Sequence, residues 1–389
     1  MPQAGRNVVF VDGVRTPFGK SGPKGLYAET RADDLVVRVI RELMRRNPDL
    51  PPERIDEVAV AATTQIGDQG LTLGRTAALL AGLPKSVPGY SVDRMCAGAM
   101  TATTTVASGI GVGAYDVALA AGVEHMGRHP MGEGVDPNPR FLAEKIVDPE
   151  ALLMGKTAEN LHDRFPQLTK ERADAYAVAS QEKTAKAYAD GKIQPDLVPV
   201  ALRSAEHGWG LATADEPPRP GTSMESLAGL KVLHPEIEGF SVTAGNSSGT
   251  NDAAAVVALA APDTQQPVLA SILSWAQVGV APKRTGSGPI YAIPKALDLA
   301  GLKISDVALF EINEAFAAQA VACTRQLGLD EEIVNVYGSG ISLGHPIAAT
   351  GARMVTSAIH ELRRRGGGIG VLSMCAGGGM GAAMVIEVG

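Results

Sequence analysis

Three cysteines in 389 residues, Cys96, Cys323 and Cys375, are too few and too scattered for a disulfide framework or a cysteine-rich metal site. An odd number of thiols raises the question of catalysis instead. Aromatic residues make up only 4% of the chain. No long basic run occurs and the formal charge is −7, so the concentrated positive patch that binds a nucleic-acid backbone is missing. An acidic total still permits a local basic site for a phosphorylated cofactor. The most apolar stretch, residues 106–123, is broken by four glycines and Asp116, which argues against a membrane span. The opening NVVFVDGVRT reads as a strand entering a turn rather than a leader, and the final VIEVG carries no peroxisomal address. The expectation is a cytoplasmic protein.

What is present is a large apolar fraction, 45%, against 20% charged residues, enough for a sizeable core. At about 150 residues per domain the length suggests two or three domains. The pattern alternates strands and helices: NVVFVDGV, IDEVAVAATT, GYSVDR and DVALAAGVEHM read as strands, and residues 30–46 have helical spacing. Such alternation favours a layered α/β fold around a covered sheet. An internal repeat sharpens this. IDEVAVAATT resembles ISDVALFEIN, and the displacement of 249 residues that carries Val58 onto Val307 also carries Cys96 onto His345. Between the halves the composition turns rich in Gly and Pro, with one polar, Ala-rich helix at 170–189, as expected of a loop-rich subdomain lying over one half.

Five segments carry chemistry. In SVDRMCAGAM, Cys96 falls at the start of a helix, where aligned N–H groups favour a thiolate; a buried, inert cysteine is the alternative. In SGISLGHPIAATGAR, His345 is bracketed by Gly344 and Pro346 at a turn into an Ala-rich helix. It suits a general base or an oxyanion donor, or simply a capping histidine. In SMCAGGGMGAAM, Cys375 ends an apolar strand, and the bare backbone after it, including Gly377, can present N–H groups to a developing negative charge. In EINEAF, Asn313 sits where a strand gives way to a helix, as an N-cap or as a side chain ordering a water. SVTAGNSSGTNDAAA reads as a turn before an apolar helix, with a serine free to meet an extended amide ligand. Cys323, in a mostly apolar helix, reads as packing.

The ordered combination of a Cys segment, GNSSG, NEAF, GHP and a C-x-GGG-x-G ending resembles the thiolase family over almost the whole chain. The resemblance implies the thiolase fold, two pseudo-symmetric five-layered α/β/α/β/α halves with a loop domain. The expected boundaries are 1–123 for the N-terminal half (completed by 242–268), 124–241 for the loop domain and 269–389 for the C-terminal half. It also implies the roles. Cys96 would be the acylated nucleophile, His345 its activator, and Cys375 the acid/base at the α-carbon of acetyl-CoA. His345 with a water held by Asn313 would form one oxyanion site, and the N–H groups of Cys96 and Gly377 the other. Ser248 would contact the pantetheine amide, with Arg219 and Ser226 at the adenine end of CoA. No metal and no permanently bound cofactor are implied, only CoA and acyl-CoA as substrates. The implied assembly is a homodimer or homotetramer, with a β-oxidation hydratase/dehydrogenase as a further partner. The chain departs from the family pattern at Asp93, where Asn is usual, and at Gly98 and Ala99. Asp93 adds a carboxylate near Cys96 that raises the thiol unless Arg94 pairs with it.

GVEHMGRHPMGEGVDPNP is similar to the degradative 3-ketoacyl-CoA thiolases of bacterial β-oxidation, while the last third resembles the biosynthetic acetoacetyl-CoA thiolases about as well. The degradative reading is favoured. A decarboxylative ketosynthase is disfavoured by Cys375 and NEAF, and a non-catalytic lipid-binding relative by the intact Cys96, His345 and Cys375.

Overall fold

The computed structural model describes residues 6–389 apart from 163–164, 166–167, 205–207 and 239. Its strands are β1 (Val9–Arg15), β2 (Gly19–Lys20), β3 (Glu57–Ala61), β4 (Gly89–Val92), β5 (Val117–His125), β6 (Val200–Ser204), β7 (Gly208–Ala212), β8 (Asn251–Ala260), β9 (Ala270–Gly279), β10 (Val307–Ile312), β11 (Gly368–Ala376) and β12 (Met380–Val388). Its helices are α1 (Ala32–Arg46), α2 (Leu73–Ala81), α3 (Gly98–Gly111), α4 (Arg140–Ala143), α5 (Met154–Glu159), α6 (Lys170–Ala189), α7 (Met224–Ala228), α8 (Gly288–Ala300), α9 (Ala317–Gln326) and α10 (Thr350–Arg364).

The main sheet runs β10-β11-β12-β9-β1-β8-β5-β3-β4. It consists of two similar halves that share the pairs Val9↔Ser271 and Phe10↔Ala270. In the first half β3 pairs parallel with β4 and β5, then β5–β8 and β8–β1 are antiparallel. In the second, β10 pairs parallel with β11 and bridges to Val334, then β11–β12 and β12–β9 are antiparallel. The repeat seen in the sequence is therefore a repeat of topology.

Side-chain alternation along the strands builds the layers, because successive residues point to opposite faces. Val58, Val60, Leu119, Ala121, Val256 and Ala258 face an outer core with α1 and α2. Their neighbours Ala59, Ala118, Ala120, Val257 and Leu259 face the centre, where they meet α3 and α10. Leu372, Met374, Ala382 and Met384 cover those two helices from the other side. Val371, Ala383 and Val385 face outward to α8 and α9. The order is helix, sheet, helix, sheet, helix, so the five layers belong to the two halves together, each supplying a sheet and one central helix.

Two expectations change. Residues 251–260 were expected to open an apolar helix but form β8, because β1 and β5 take up both of its edges and both of its faces are buried. An Ala-rich run buried on both faces carries no period with which to tell strand from helix. The segment between β5 and β8 also covers both halves rather than one. Ala173 and Ala177 of α6 pack on Ala317 of α9 and on Ile341, while Val198, Val200 and Ala212 enter the N-terminal outer core. A buried bidentate pair, Arg15 with Asp215 at 2.6 and 2.8 Å, fastens the loop after β7 to β1. No helix among the described residues is long and apolar enough to cross a membrane.

The central layer is closed by backbone contact. A Cβ on Gly351 would lie 2.6 Å from the Met100 amide nitrogen, and one on Gly122 would lie 2.1 Å from the Ala348 carbonyl oxygen. Gly351→Val should therefore lower the urea midpoint with little change in slope, a loss of roughly 1–3 kcal/mol. An unchanged midpoint would contradict the close approach of α3 and α10.

Candidate active site

Cys96 lies in the 3₁₀ turn Met95–Ala97 that leads into α3. Met95 is left-handed, at φ 49°, a conformation that costs a non-glycine residue about 1–2 kcal/mol. The Asp93 carboxylate accepts the Met95 N–H at 2.7 Å and holds this bend. Asp93 makes no ion pair among the described residues, so Arg94 does not neutralise it. The turn packs on the end of β11 and on the matching 3₁₀ turn Ile347–Ala349 before α10. The backbone N–H groups of Gly377 and of Cys96 itself lie near enough to the Cys96 sulfur to favour its thiolate.

These N–H groups were expected to depress the thiol, and they do pull in that direction. Burial outweighs them, and the Glu124 and Asp93 carboxylates add to it, so Cys96 is pushed up to about 11. Cys375 ends β11 opposite Gly381, buried and two residues before Gly377. Burial, with Cys96 and Cys323 nearby, pushes its thiol well above the ordinary range. At rest both sulfurs are protonated.

His345 enters through a constrained bend. Gly344 has φ +106°, and a Cβ there would meet Pro217 Cγ at 2.9 Å and Asn251 Oδ1 at 3.0 Å, so the position requires glycine. The His345 N–H donates to Asn251 Oδ1 at 2.8 Å. The tautomer follows from Thr350, whose hydroxyl donates to the Pro346 carbonyl at 3.0 Å and so accepts from His345 Nδ1 at 2.7 Å. This leaves Nε2 with the lone pair, facing the Asn313 Nδ2 donor at 3.3 Å. Burial and the Arg353 charge hold the imidazole down to about 3, so it is a neutral base through the physiological range. Asn313 is not a helix N-cap, since α9 starts only after Phe316. Its backbone N–H donates to Ser373 O at 2.9 Å, which ties it to the strand that ends in Cys375.

The structure thus gathers the Cys96, Gly377 and Cys375 segments with those of Asn313 and His345. The fixed displacement of the repeat does not extend this far. Cys96 lies inside its turn, whereas His345 lies two residues ahead of the matching turn, where Ala348 is the counterpart. The two halves keep their strands in correspondence and differ in the loops between β3 and α3 and between β10 and α10.

Of the remaining expected residues, Ser248 donates its N–H to Ala315 O at 3.0 Å, beside the Asn313 segment. Arg219 is anchored by its N–H to Gln181 Oε1 at 2.8 Å, two residues beyond the Pro217 that touches the His345 bend. The Ser226 hydroxyl is engaged in the capping box of α7 with Ser223, and no contact among the described residues joins it to the Cys96 cluster. Three side chains without a role in the sequence reading stand in this neighbourhood: Thr350, Asn251 and Glu124. Glu124 had a visible signal, a carboxylate inside the apolar strand ALAAGVEHM.

The chain matches the thiolase N-terminal domain over residues 8–263 and the thiolase C-terminal domain over residues 266–388. It is 41% identical to the 3-ketoacyl-CoA thiolase of Bacillus subtilis (strain 168), across 98% of this chain and 100% of that one. It is also 41% identical to the peroxisomal 3-ketoacyl-CoA thiolase B of Rattus norvegicus, across 99% and 92%. The crystal structure of the dimeric peroxisomal thiolase of Saccharomyces cerevisiae superimposes with a TM-score of 0.89 at 35% identity, covering 99% of this chain and 98% of that one. The chain belongs to the thiolase family.

Because Asp93 raises the Cys96 thiol, removing its charge should lower it. For Asp93→Asn, the pH profile of Cys96 alkylation by iodoacetamide, read by peptide mapping, should move to lower pH, with thiolysis at neutral pH preserved or raised. A profile that stays put or moves upward would contradict the assignment.

Proposed function

We propose that Cys96, His345 and Cys375 form the reaction centre of an acyltransferase, with Asn313 and Gly377 supporting it. The enzyme cleaves 3-ketoacyl-CoA with CoA to acetyl-CoA and a shortened acyl-CoA, the thiolytic step of fatty-acid β-oxidation. The observation that carries the assignment is that the turn holding Cys96 packs on the turn that follows His345, a neutral imidazole whose Nε2 keeps its lone pair and faces the Asn313 amide. Burial favours the uncharged pair at rest, so the sulfur becomes nucleophilic as it attacks and His345 takes its proton.

In the first half-reaction Cys96 Sγ bonds to C3 of the substrate and the C2–C3 bond breaks. The electron pair of that bond leaves on acetyl-CoA as an enolate, which takes the Cys375 thiol proton. A thiol held well above its usual range is suited to donating to a carbanion and poorly suited to competing as a nucleophile. The N–H groups of Cys96 and Gly377 stabilise the oxygen that gains charge in the thioester steps. His345, with a water ordered by Asn313, stabilises the other. In the second half-reaction the CoA thiol gives its proton to the Cys375 thiolate and attacks the Cys96 thioester, acyl-CoA departs, and His345 returns its proton to the Cys96 sulfur, which restores both thiols.

Ser248 and Arg219 flank this centre and are assigned to CoA, Ser248 at the pantetheine amide and Arg219 at the adenine end. Ser226 is assigned beside Arg219. CoA and acyl-CoA act as substrates, with no permanently bound cofactor. Three unpaired cysteines fit a reducing cytoplasm. β4 ends the main sheet with one edge unpaired among the described residues, a surface suited to a second copy of the chain in a homo-oligomer.

Cys96→Ala should abolish thiolysis of both acetoacetyl-CoA and a longer 3-ketoacyl-CoA, followed by loss of enolate absorbance. The wild-type kcat/KM should rise along a ladder of increasing chain length. A maximum at acetoacetyl-CoA would replace the degradative reading with the acetoacetyl-CoA one. Cys375→Ala should still be acylated by acyl-CoA yet lose proton exchange at the methyl group of acetyl-CoA. Unchanged exchange would remove its acid/base role.

A further inference from the structure

His345 stands on a bend that its own half holds incompletely. Residues 344–350 belong to no strand, and their internal backbone bonds run from Gly344 N–H to Gly340 O, and from Ala349 and Thr350 N–H to Pro346 O. The N–H groups of His345 and Ala348 take no part in these bonds. An N–H at the start of a helix has no intrahelical partner, and leaving it buried and unpaired costs about 1–3 kcal/mol.

Both are met by side chains of the other half. Asn251 Oδ1 accepts the His345 N–H at 2.8 Å, and Asn251 Nδ2 donates to Gly19 O at 3.0 Å. Glu124 Oε2 accepts the Ala348 N–H at 3.2 Å and also the Thr63 N–H at 3.2 Å. Glu124 Oε1 accepts from Gln69 Nε2 at 3.0 Å. Each residue is 1% exposed. They come from the same end of two adjacent strands, because β5 and β8 pair with Glu124 opposite Ala253 and His125 opposite Asp252. The two acceptors therefore grip the bend on either side of Pro346, three residues apart.

We infer that Asn251 and Glu124 are positioning residues that hold the His345 bend of the C-terminal half in register with Cys96 of the N-terminal half. The inference rests on the assignment of Cys96 and His345 as the reacting pair. The geometry separates this role from helix capping by the bend's own residues, since neither acceptor belongs to the segment it satisfies. Glu124 adds a second effect, because its charge also helps keep the Cys96 sulfur protonated.

The test is steady-state thiolysis by Asn251→Ala, Glu124→Ala and Glu124→Gln, each confirmed folded by its melting transition. A displaced base should cost about 10²-fold in kcat, with KM for CoA near the wild-type value. Glu124→Gln keeps an oxygen that can accept the Ala348 N–H, so its kcat should lie within about tenfold of wild type. The double variant Asn251→Ala/Glu124→Ala should lose less than the product of the single losses, because both release the same bend. Wild-type kcat in Asn251→Ala, or a raised KM with kcat unchanged, overturns the proposal. So does a Glu124→Gln variant as impaired as Glu124→Ala. If Glu124→Ala does not fold, Asn251→Ala and Glu124→Gln decide the matter. Turnover by Cys96→Ala would instead discard the reaction centre itself, a separate failure read in the same assay.

Discussion

The structure depends on one steric constraint, the meeting of two backbones in the central layer. α3 and α10 come from opposite halves, and each begins with a 3₁₀ turn. Gly98, Ala348 and Gly351 line their approach, Gly122 of β5 meets the Ala348 turn before α10, and at Gly122 and Gly351 a single added carbon would collide with main-chain atoms. Close-packed interiors do not yield to such insertions. The small residues around Cys96 and His345 thus set the distance between the halves, and that distance decides whether a thiol and an imidazole supplied by different halves share one site.

The second consequence of this packing is partial dehydration, with Cys375 and His345 buried and Cys96 half-buried. Burial pushes Cys96 and Cys375 upward and His345 downward, so all three groups rest in their neutral forms. A permanent thiolate–imidazolium pair, as found where a cysteine is more exposed to positive charge, is not what this environment favours. In the proposed mechanism charge arises only as the substrate reacts, and the fixed N–H groups of Cys96 and Gly377 meet it without reorganisation. Asp93 tightens the arrangement in two opposed ways. It holds the strained Met95 bend through a backbone hydrogen bond, and its negative charge raises the thiol further.

Much of this was legible in the sequence. The alternating pattern and the internal repeat pointed to two α/β halves, and the order of the GNSSG, NEAF, GHP and C-x-GGG-x-G segments pointed to the family. What failed did so for physical reasons. β8 was mistaken for a helix because an Ala-rich strand buried on both faces has no period. Asn313 was weighed as a helix cap because one dimension does not show the gap before Phe316. The helix-start argument for a depressed Cys96 thiol named the right N–H effect, but burial is invisible in a linear string and proved larger. Thr350, Asn251 and Glu124 escaped notice because their significance lies in which backbone or imidazole atom each one touches, and two of them act across the interface between the halves.

The account's central claim is that acyl transfer passes through the sulfur of Cys96, with His345 from the facing half as its base. The most direct measurement is peptide-mapping mass spectrometry of enzyme quenched during turnover of a 3-ketoacyl-CoA, for wild type and His345→Ala. The account predicts a shortened-acyl adduct on the peptide carrying Cys96 in the wild type and its near absence in the variant. An adduct on Cys323 or Cys375, or undiminished acylation of Cys96 without His345, would contradict it.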